Sequence, residues 1–359
     1  MQLLSQWIKR TFSDPQLVVL LSLLFFGGII IVTMGNMLAP VLASIVIAYL
    51  LEGLVAPLQR LGVPRMLAVI VVFILFLIVL GLLLFGLLPQ LSRQVTQLVQ
   101  QLPNMLAEGQ RTLLLLPEKY PELITVEQVQ EVISTIGGEA GSIGQKVLSW
   151  SLSSVVGVIT ILVYLVLMPL LVFFFLKDKR LILNWLASML PRDRKIAIHV
   201  WREVDGQISN YVRGKFWEII IVWSASYVTF TLLGLQYAML LGVLVGLSVI
   251  IPYIGATVVT FPVLVVGWFQ WGWTADFGWL ALAYFIIQAL DGNVLVPLLF
   301  SEVVSLHPIA IIVAILVFGG VWGFWGVFFA IPLATLVNAV IQAWPSRAEL
   351  NKKLAEQTL

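Results

Sequence analysis

The sequence predicts an all-α, polytopic integral membrane protein. It has about eight transmembrane helices, with broken or re-entrant segments in its C-terminal half. Three observations carry this reading. The 359 residues are 60% hydrophobic and only 11% charged, with a mean hydropathy of +1.04, where a soluble domain carries about a quarter charged residues. The apolar residues fall in blocks approaching or exceeding the roughly 20 residues that cross about 30 Å of hydrocarbon. In the second half these blocks are interrupted by prolines and glycines, which lipid tolerates only where the freed backbone finds partners. The formal net charge of +2 and the lack of a basic aromatic patch argue against nucleic acid. The lack of cysteine excludes disulfides, thiolate metal sites and cysteine nucleophiles.

Residues 1–88 read as three transmembrane helices. Leu17 to Met34 is the first span, retained because no small-residue cleavage site follows Lys9 and Arg10. A turn is expected at Gly35 in "GNM", then a second span from Leu38 to about Leu58. After the basic loop "QRLGVPRM" comes a third span from Leu67 to Leu88. Residues 89–150 read as a polar, amphipathic helical insertion, with Leu91, Val95, Leu98 and Leu102 on one helical face. Residues 151–176 hold a fourth span, from about Val155. Residues 177–215 form a basic cytoplasmic segment, whose helix from Lys195 to Tyr211 aligns Ile196, Val200, Val204 and Ile208. That face suits the inner leaflet, the protein's own core or another protomer. Residues 216–345 are a C-terminal transport region and 346–359 a cytoplasmic tail. The apolar pieces of the transport region are punctuated by "PYIG", "LDGN" and "GGVWGFWG". Four crossings there make eight in all and six make ten; eight is the reading adopted.

Loop charge sets the expected orientation. The 89–150 insertion has four Lys/Arg against six Glu, whereas residues 177–215 have nine bases against four acids. The N-terminus, the Arg60/Arg65 loop and the tail are also basic. Positive loops stay cytoplasmic, so both termini are expected inside and the insertion outside.

Pro252 and Gly255 break an otherwise apolar run, with Pro262 beyond them, and Gly323, Gly326 and Pro332 form a loose second copy. Paired interruptions of this kind point to a transporter site, because broken helices aim backbone dipoles at a substrate. The plainer reading is a turn between two short helices. If the first reading holds, the two breaks should approach each other. Gly255→Val should then impair transport more than folding. Gly242 and Gly246, four apart, read as a helix-packing face.

Charge at membrane depth is costly and therefore informative. Asp291, with Gln288 and Asn293 beside it, is the candidate for binding a cation or small polar solute. Against this, Asp-Gly is a strong turn dipeptide and could sit at the membrane surface. Glu52 reads as an interfacial residue beside Arg60, and Glu218 beside Lys215 has the same structural account. Glu302 and His307 flank a short break, with the histidine read as a cap.

No H-E-x-x-H motif, G-x-S-x-G elbow or P-loop occurs. Neither enzyme activity nor a cofactor is expected. Many of the thirteen tryptophans lie near span ends and read as interfacial anchors. The ordered series "YVRGK" (Tyr211 to Lys215), "GLSVIIPYIG" (Gly246 to Gly255), "GNVLVPLL" (Gly292 to Leu299), "LHP" (Leu306 to Pro308) and "GGVWGFWG" before Pro332 resembles the AI-2E family of bacterial membrane proteins. The chain departs from it at Ala256, where a proline often follows the PYIG glycine. The resemblance implies about eight helices, transport without ATP and a homo-oligomer in the bacterial inner membrane, a pentamer among the options. The family's proposed substrates range from the signal autoinducer-2 to sodium and protons. The reading reached is an ion-gradient-driven secondary transporter exporting a small polar, autoinducer-2-like solute. A Na+(Li+)/H+ antiporter and a non-transporting membrane scaffold are the alternatives.

Overall fold

A computed structural model describes residues 15–115, 117, 125–131, 133–134, 155–188, 195–252, 254–300 and 307–342. The first residues, Glu118 and the loop around it, Glu302, Trp344 and the 346–359 tail lie outside the described residues. The protein is all-helical, with no strand among the described residues. Among the described residues five helical stretches are long and apolar enough, by length and composition, to cross a membrane: Met37–Arg60, Arg65–Leu114, Ile254–Trp271, Ala275–Phe300 and Ile309–Phe328, the last of them kinked at Gly323. Three shorter apolar helices accompany them, at Val163–Lys177, Ala238–Ser248 and Ala330–Ala339. Large apolar side chains are exposed along these helices, Phe85, Leu232, Phe261 and Leu298 among them. This is the surface of a multi-pass membrane protein.

Helix α1 runs unbroken over Pro15–Arg60, 46 residues and so about 69 Å. The turn expected at Gly35 is not formed. With apolar residues on both sides, continuing the helix is the one way to keep the backbone N–H and C=O groups paired. Gly35 serves close approach instead, since a Cβ there would meet the indole of Trp322. Helix α2 (Arg65–Leu82) continues through a π turn (Leu83–Leu87) into α3 (Leu88–Leu114). The polar insertion therefore begins as an extension of the preceding span. Leu91, Val95 and Leu98 pack inward as their spacing predicts, joined by Met105.

Helices α4 (Val155–Lys177) and α5 (Lys179–Ser188) precede α6 (Lys195–Leu232). The boundary expected at 215/216 falls inside α6, which is continuous from the basic segment into the apolar one. Helices α7 (Ala238–Ser248) and α8 (Ile254–Trp271) form a hairpin with its turn at Ile251–Pro252. Helix α7 packs chiefly on α6. Gly242 and Gly246 allow this, lying against Tyr227 and Trp223. Helix α9 (Ala275–Leu290) passes through a π turn (Asp291–Leu295) into α10 (Val296–Phe300). Helices α11 (Pro308–Phe328) and α12 (Ala330–Gln342) complete the described chain. His307 caps α11, its Nδ1 accepting from the N–H of Ile309 at 3.3 Å.

Three apolar clusters hold the bundle. One joins α6, α7, α8 and α9 around Phe230, Leu241, Val263 and Tyr284. A second joins α6, α10, α11 and α12 around Tyr211, Phe300 and Ala330. The third joins α1, α2 and α4 around Val55, Val69 and Val172. Helix α6 belongs to the first two and so links the hairpin to the C-terminal helices.

Candidate functional site

Both interruptions singled out in the sequence are tight chain reversals, and both close on a glycine. At the first, a Cβ on Gly255 would overlap the carbonyl oxygen of Ser248, the last residue of α7. At the second, Gly323 adopts φ 60° and ψ −137°, a conformation open to glycine. The chain turns there so sharply that a Cβ on Gly326 would overlap the carbonyl oxygen of Phe318. In a straight helix residues eight apart are separated by about 12 Å. Each motif is thus a turn sealed by a glycine.

A break in a membrane helix leaves carbonyls without intrahelical partners. Helix α6 supplies them from one face. Lys215 Nζ donates to the carbonyl of Val249, just past the end of α7, at 2.8 Å. One turn earlier, the Tyr211 hydroxyl donates to the carbonyl of Phe328, at the end of α11, at 3.2 Å. Tyr211 also contacts the rings of Phe300 and Phe328, with centroids 5.9 and 6.4 Å away. Both turns are thus held from α6. Tyr211→Phe keeps the ring packing and removes only the bond to Phe328, so thermal unfolding should register a loss of about 1 kcal/mol.

Lys215 is the centre of the site. It is 4% exposed, and its ammonium pairs with Glu218, 2% exposed, at 2.6 Å. It also lies 5.1 Å from the centre of the Phe300 ring. A carboxylate, a carbonyl and an aromatic face therefore surround a cation that the positive-inside count places in a cytoplasmic loop. Glu218 pairs with Lys215 as their spacing suggested, while Lys215 itself lies within α6 and not in a loop. The spacing Tyr211, Lys215, Glu218 puts all three on one helical face, and this was the available signal. The basic cluster upstream masked it, because charge counting treats every lysine near a span end alike.

Asp291 is neither in a surface turn nor in a loosened loop. It opens the π turn between α9 and α10, and the N–H of Val296 reaches back five residues to its carbonyl. Pro297 offers a physical reason: it donates no N–H and its ring crowds the preceding turn, which widens in response. Asp291 is close enough to Lys215 and Glu218 to act on both electrostatically. Its Oδ1 is buried without a hydrogen-bond partner among the described residues.

A polar string connects this point to the hairpin. Gln288 Nε2 donates to the Tyr284 hydroxyl at 3.1 Å, and that hydroxyl lies 3.0 Å from Thr260 Oγ1. Thr260 Oγ1 donates to the carbonyl of Ala256 at 2.7 Å, and the Tyr284 hydroxyl lies 3.3 Å from the same oxygen. Gln288 is thus tied to the start of α8, near Gly255, and Asp291 follows it three residues on without joining the string. Tyr284 and Thr260 were not singled out in the sequence, since a tyrosine and a threonine in an apolar run carry no distinctive signal. Asn293 stays apart. It is exposed and donates to the carbonyl of Ala289 on its own helix at 2.8 Å. Gly323 and Gly326 reach the site only through Tyr211.

Glu52 has a different partner from the one expected. Arg65, not Arg60, holds it through two nitrogens at 3.2 and 3.3 Å, and also donates to the carbonyl of Leu176 at 2.7 Å. Among the described residues no cluster of three or more His, Cys, Asp or Glu could hold a metal ion.

The family model described as AI-2E family transporter matches residues 18–346. The chain belongs to the AI-2E family. It is 48% identical over 345 residues to PerM of Escherichia coli (strain K12), provisionally named a permease, covering 96% of this chain and 98% of PerM. More distant relatives include YrrI and YueF of Bacillus subtilis (strain 168), both provisionally named transport proteins. YrrI is 27% identical, covering 84% of this chain and 85% of YrrI. YueF is 25% identical, covering 86% and 84% respectively. A member of this family with a charged, hydrogen-bonded cluster where its helices break has the elements of a membrane transporter.

Proposed function

We propose that this protein is a secondary transporter that exports a small polar, autoinducer-2-like solute, driven by a cation gradient. The polar cluster on α6, α8 and α9 is its site. One observation carries the reading: Asp291 Oδ1 is buried and unpartnered beside the buried Lys215–Glu218 pair. At formal charge, two carboxylates against one ammonium leave one negative charge at membrane depth. An unbalanced buried charge is costly, and one proton or monovalent cation offsets it. Binding and release of that cation supply the coupling. The turns after α7 and at the end of α11 are the parts free to move around it, since side chains of α6 reach across to the carbonyls of Val249 and Phe328. A homo-oligomer in the bacterial inner membrane with both termini cytoplasmic completes the proposal, resting on the family resemblance and the loop charges.

The same charge count favours a second reading, exchange of Na+ or Li+ for protons without an organic solute. Asp291→Asn tests both readings in proteoliposomes. The substitution neutralises the excess charge, so the folded protein should be as stable as the parent or more so, while cation-coupled flux falls to background. Flux at the parental rate would remove Asp291 from the mechanism. Coupled flux in the parent without added solute would favour the antiporter.

A further inference from the structure

Away from the polar cluster, α1, α4, α5 and α6 leave a cavity of about 180 Å³ between them. Its walls are Ala48, Phe175, Leu176, Ile182, Leu183 and Leu186. Polar side chains reach the lining as well: Tyr49, Glu52 and Lys179, each with a partner, and the indole of Trp201. Tyr49 donates to Asp205, and Glu52 holds Arg65 at 3.2 Å and Lys179 at 3.6 Å. What remains is apolar. A polar solute entering would give up its hydration for little more than the Trp201 N–H, which is unfavourable. Apolar cavities of about 150 Å³ stay dry and take up hydrocarbon.

The cover of this cavity is α5, a ten-residue amphipathic helix. It turns Ile182, Leu183 and Leu186 to the cavity and exposes Leu181 and Trp185 on another side. An exposed tryptophan beside a basic cluster suits the boundary between hydrocarbon and headgroups. At the junction of α4 and α5 stand Lys177, Lys179 and Arg180, with Asp178 the one acid among them. Lys177 lies 3.9 Å from Asp178, while Arg180 is exposed and has no ion pair among the described residues. Arg180 is thus an exposed guanidinium next in sequence to Lys179, which lines the cavity. Arginine binds phosphate oxygens through a planar fork of donors.

We infer that this cavity is a binding site for an anionic phospholipid. One acyl chain enters between α5 and α1, and the phosphate rests on Arg180 and Lys179. The lipid fills the gap under α5 and so holds it against the body of the protein. This inference is independent of the transport site.

The test uses the full-length protein in detergent, titrated with dioleoylphosphatidylglycerol and, separately, with dioleoylphosphatidylcholine, with retained lipid counted by native mass spectrometry. The parent should retain one tightly bound phosphatidylglycerol per chain and hold phosphatidylcholine more weakly. Ile182→Trp fills the slot from the covering helix, and excluding two or three methylenes should weaken the phosphatidylglycerol roughly tenfold or more. The double variant K179Q/R180Q should cut the preference for the anionic lipid while leaving the cavity open. The two variants change different groups, an apolar wall and the neighbouring cations, so misfolding of one leaves the other to decide. Equal retention of the two lipids by the parent would overturn the inference. So would unchanged phosphatidylglycerol binding in either folded variant.

Discussion

Replacing Lys215 with methionine is expected to abolish transport and to lower stability by about 3–5 kcal/mol. The methionine fills much of the same volume but leaves Glu218 as a buried carboxylate without its counter-ion, and Asp291 as a second one nearby. It also strips the Val249 carbonyl of its donor at the point where α7 ends. Both losses occur among buried residues, Glu218 and Val249, where water cannot substitute. The double variant K215M/E218M separates structure from function. Removing both partners of a buried pair is often nearly neutral for stability, so thermal unfolding should recover most of the loss. Transport should not recover, because the charge arrangement around Asp291 is gone. If the double variant transports at the parental rate, the pair is structural only.

Gly255→Ala is expected to have the second largest effect. A Cβ there would overlap the carbonyl oxygen of Ser248, a backbone atom that cannot rotate away. The hairpin must open, moving Val249 off Lys215. Overpacking of this kind costs about 3 kcal/mol at its upper end. This revises the expectation from sequence that Gly255→Val harms transport more than folding: the contact is with backbone, so both suffer. Gly326→Ala should behave alike, since its Cβ would overlap the Phe318 carbonyl. Unfolding midpoints and proteoliposome flux measured on both variants check the claim. A Gly255→Ala protein of parental stability would mean that the turn opens at little cost.

The two glycines also indicate how far the sequence could be read. That "PYIG" and "GGVWGFWG" are related breaks was legible, because proline and glycine in apolar runs are rare enough to be noticed. That each is a reversal sealed by a glycine on a carbonyl was not, since a motif does not say which backbone atom lies opposite. Asp291 stood out for a similar reason, as a charge flanked by apolar residues on both sides. Its neighbour Asn293 was grouped with it by proximity along the chain. The π turn separates them, leaving one half-buried and the other exposed.

By itself the sequence determined the solvent this chain folds in and the kind of element it can form. Composition and block length require lipid, and lipid requires helices because every backbone polar group must find a partner within the protein. It also determined the family, through motifs whose order survives divergence. The tertiary structure alone decided which charges are buried and what they touch. Lys215 and Lys195 are equivalent as letters in a basic segment. Only the docking of α7, α8 and α10 around α6 makes Lys215 the ammonium that holds a carboxylate, a broken helix end and an aromatic face. Periodicity assigns a residue to a face of its own helix. What that face meets is fixed by contacts between segments distant in sequence, here residues 211–218, 249–260, 284–300 and 326–328, and no local pattern encodes them.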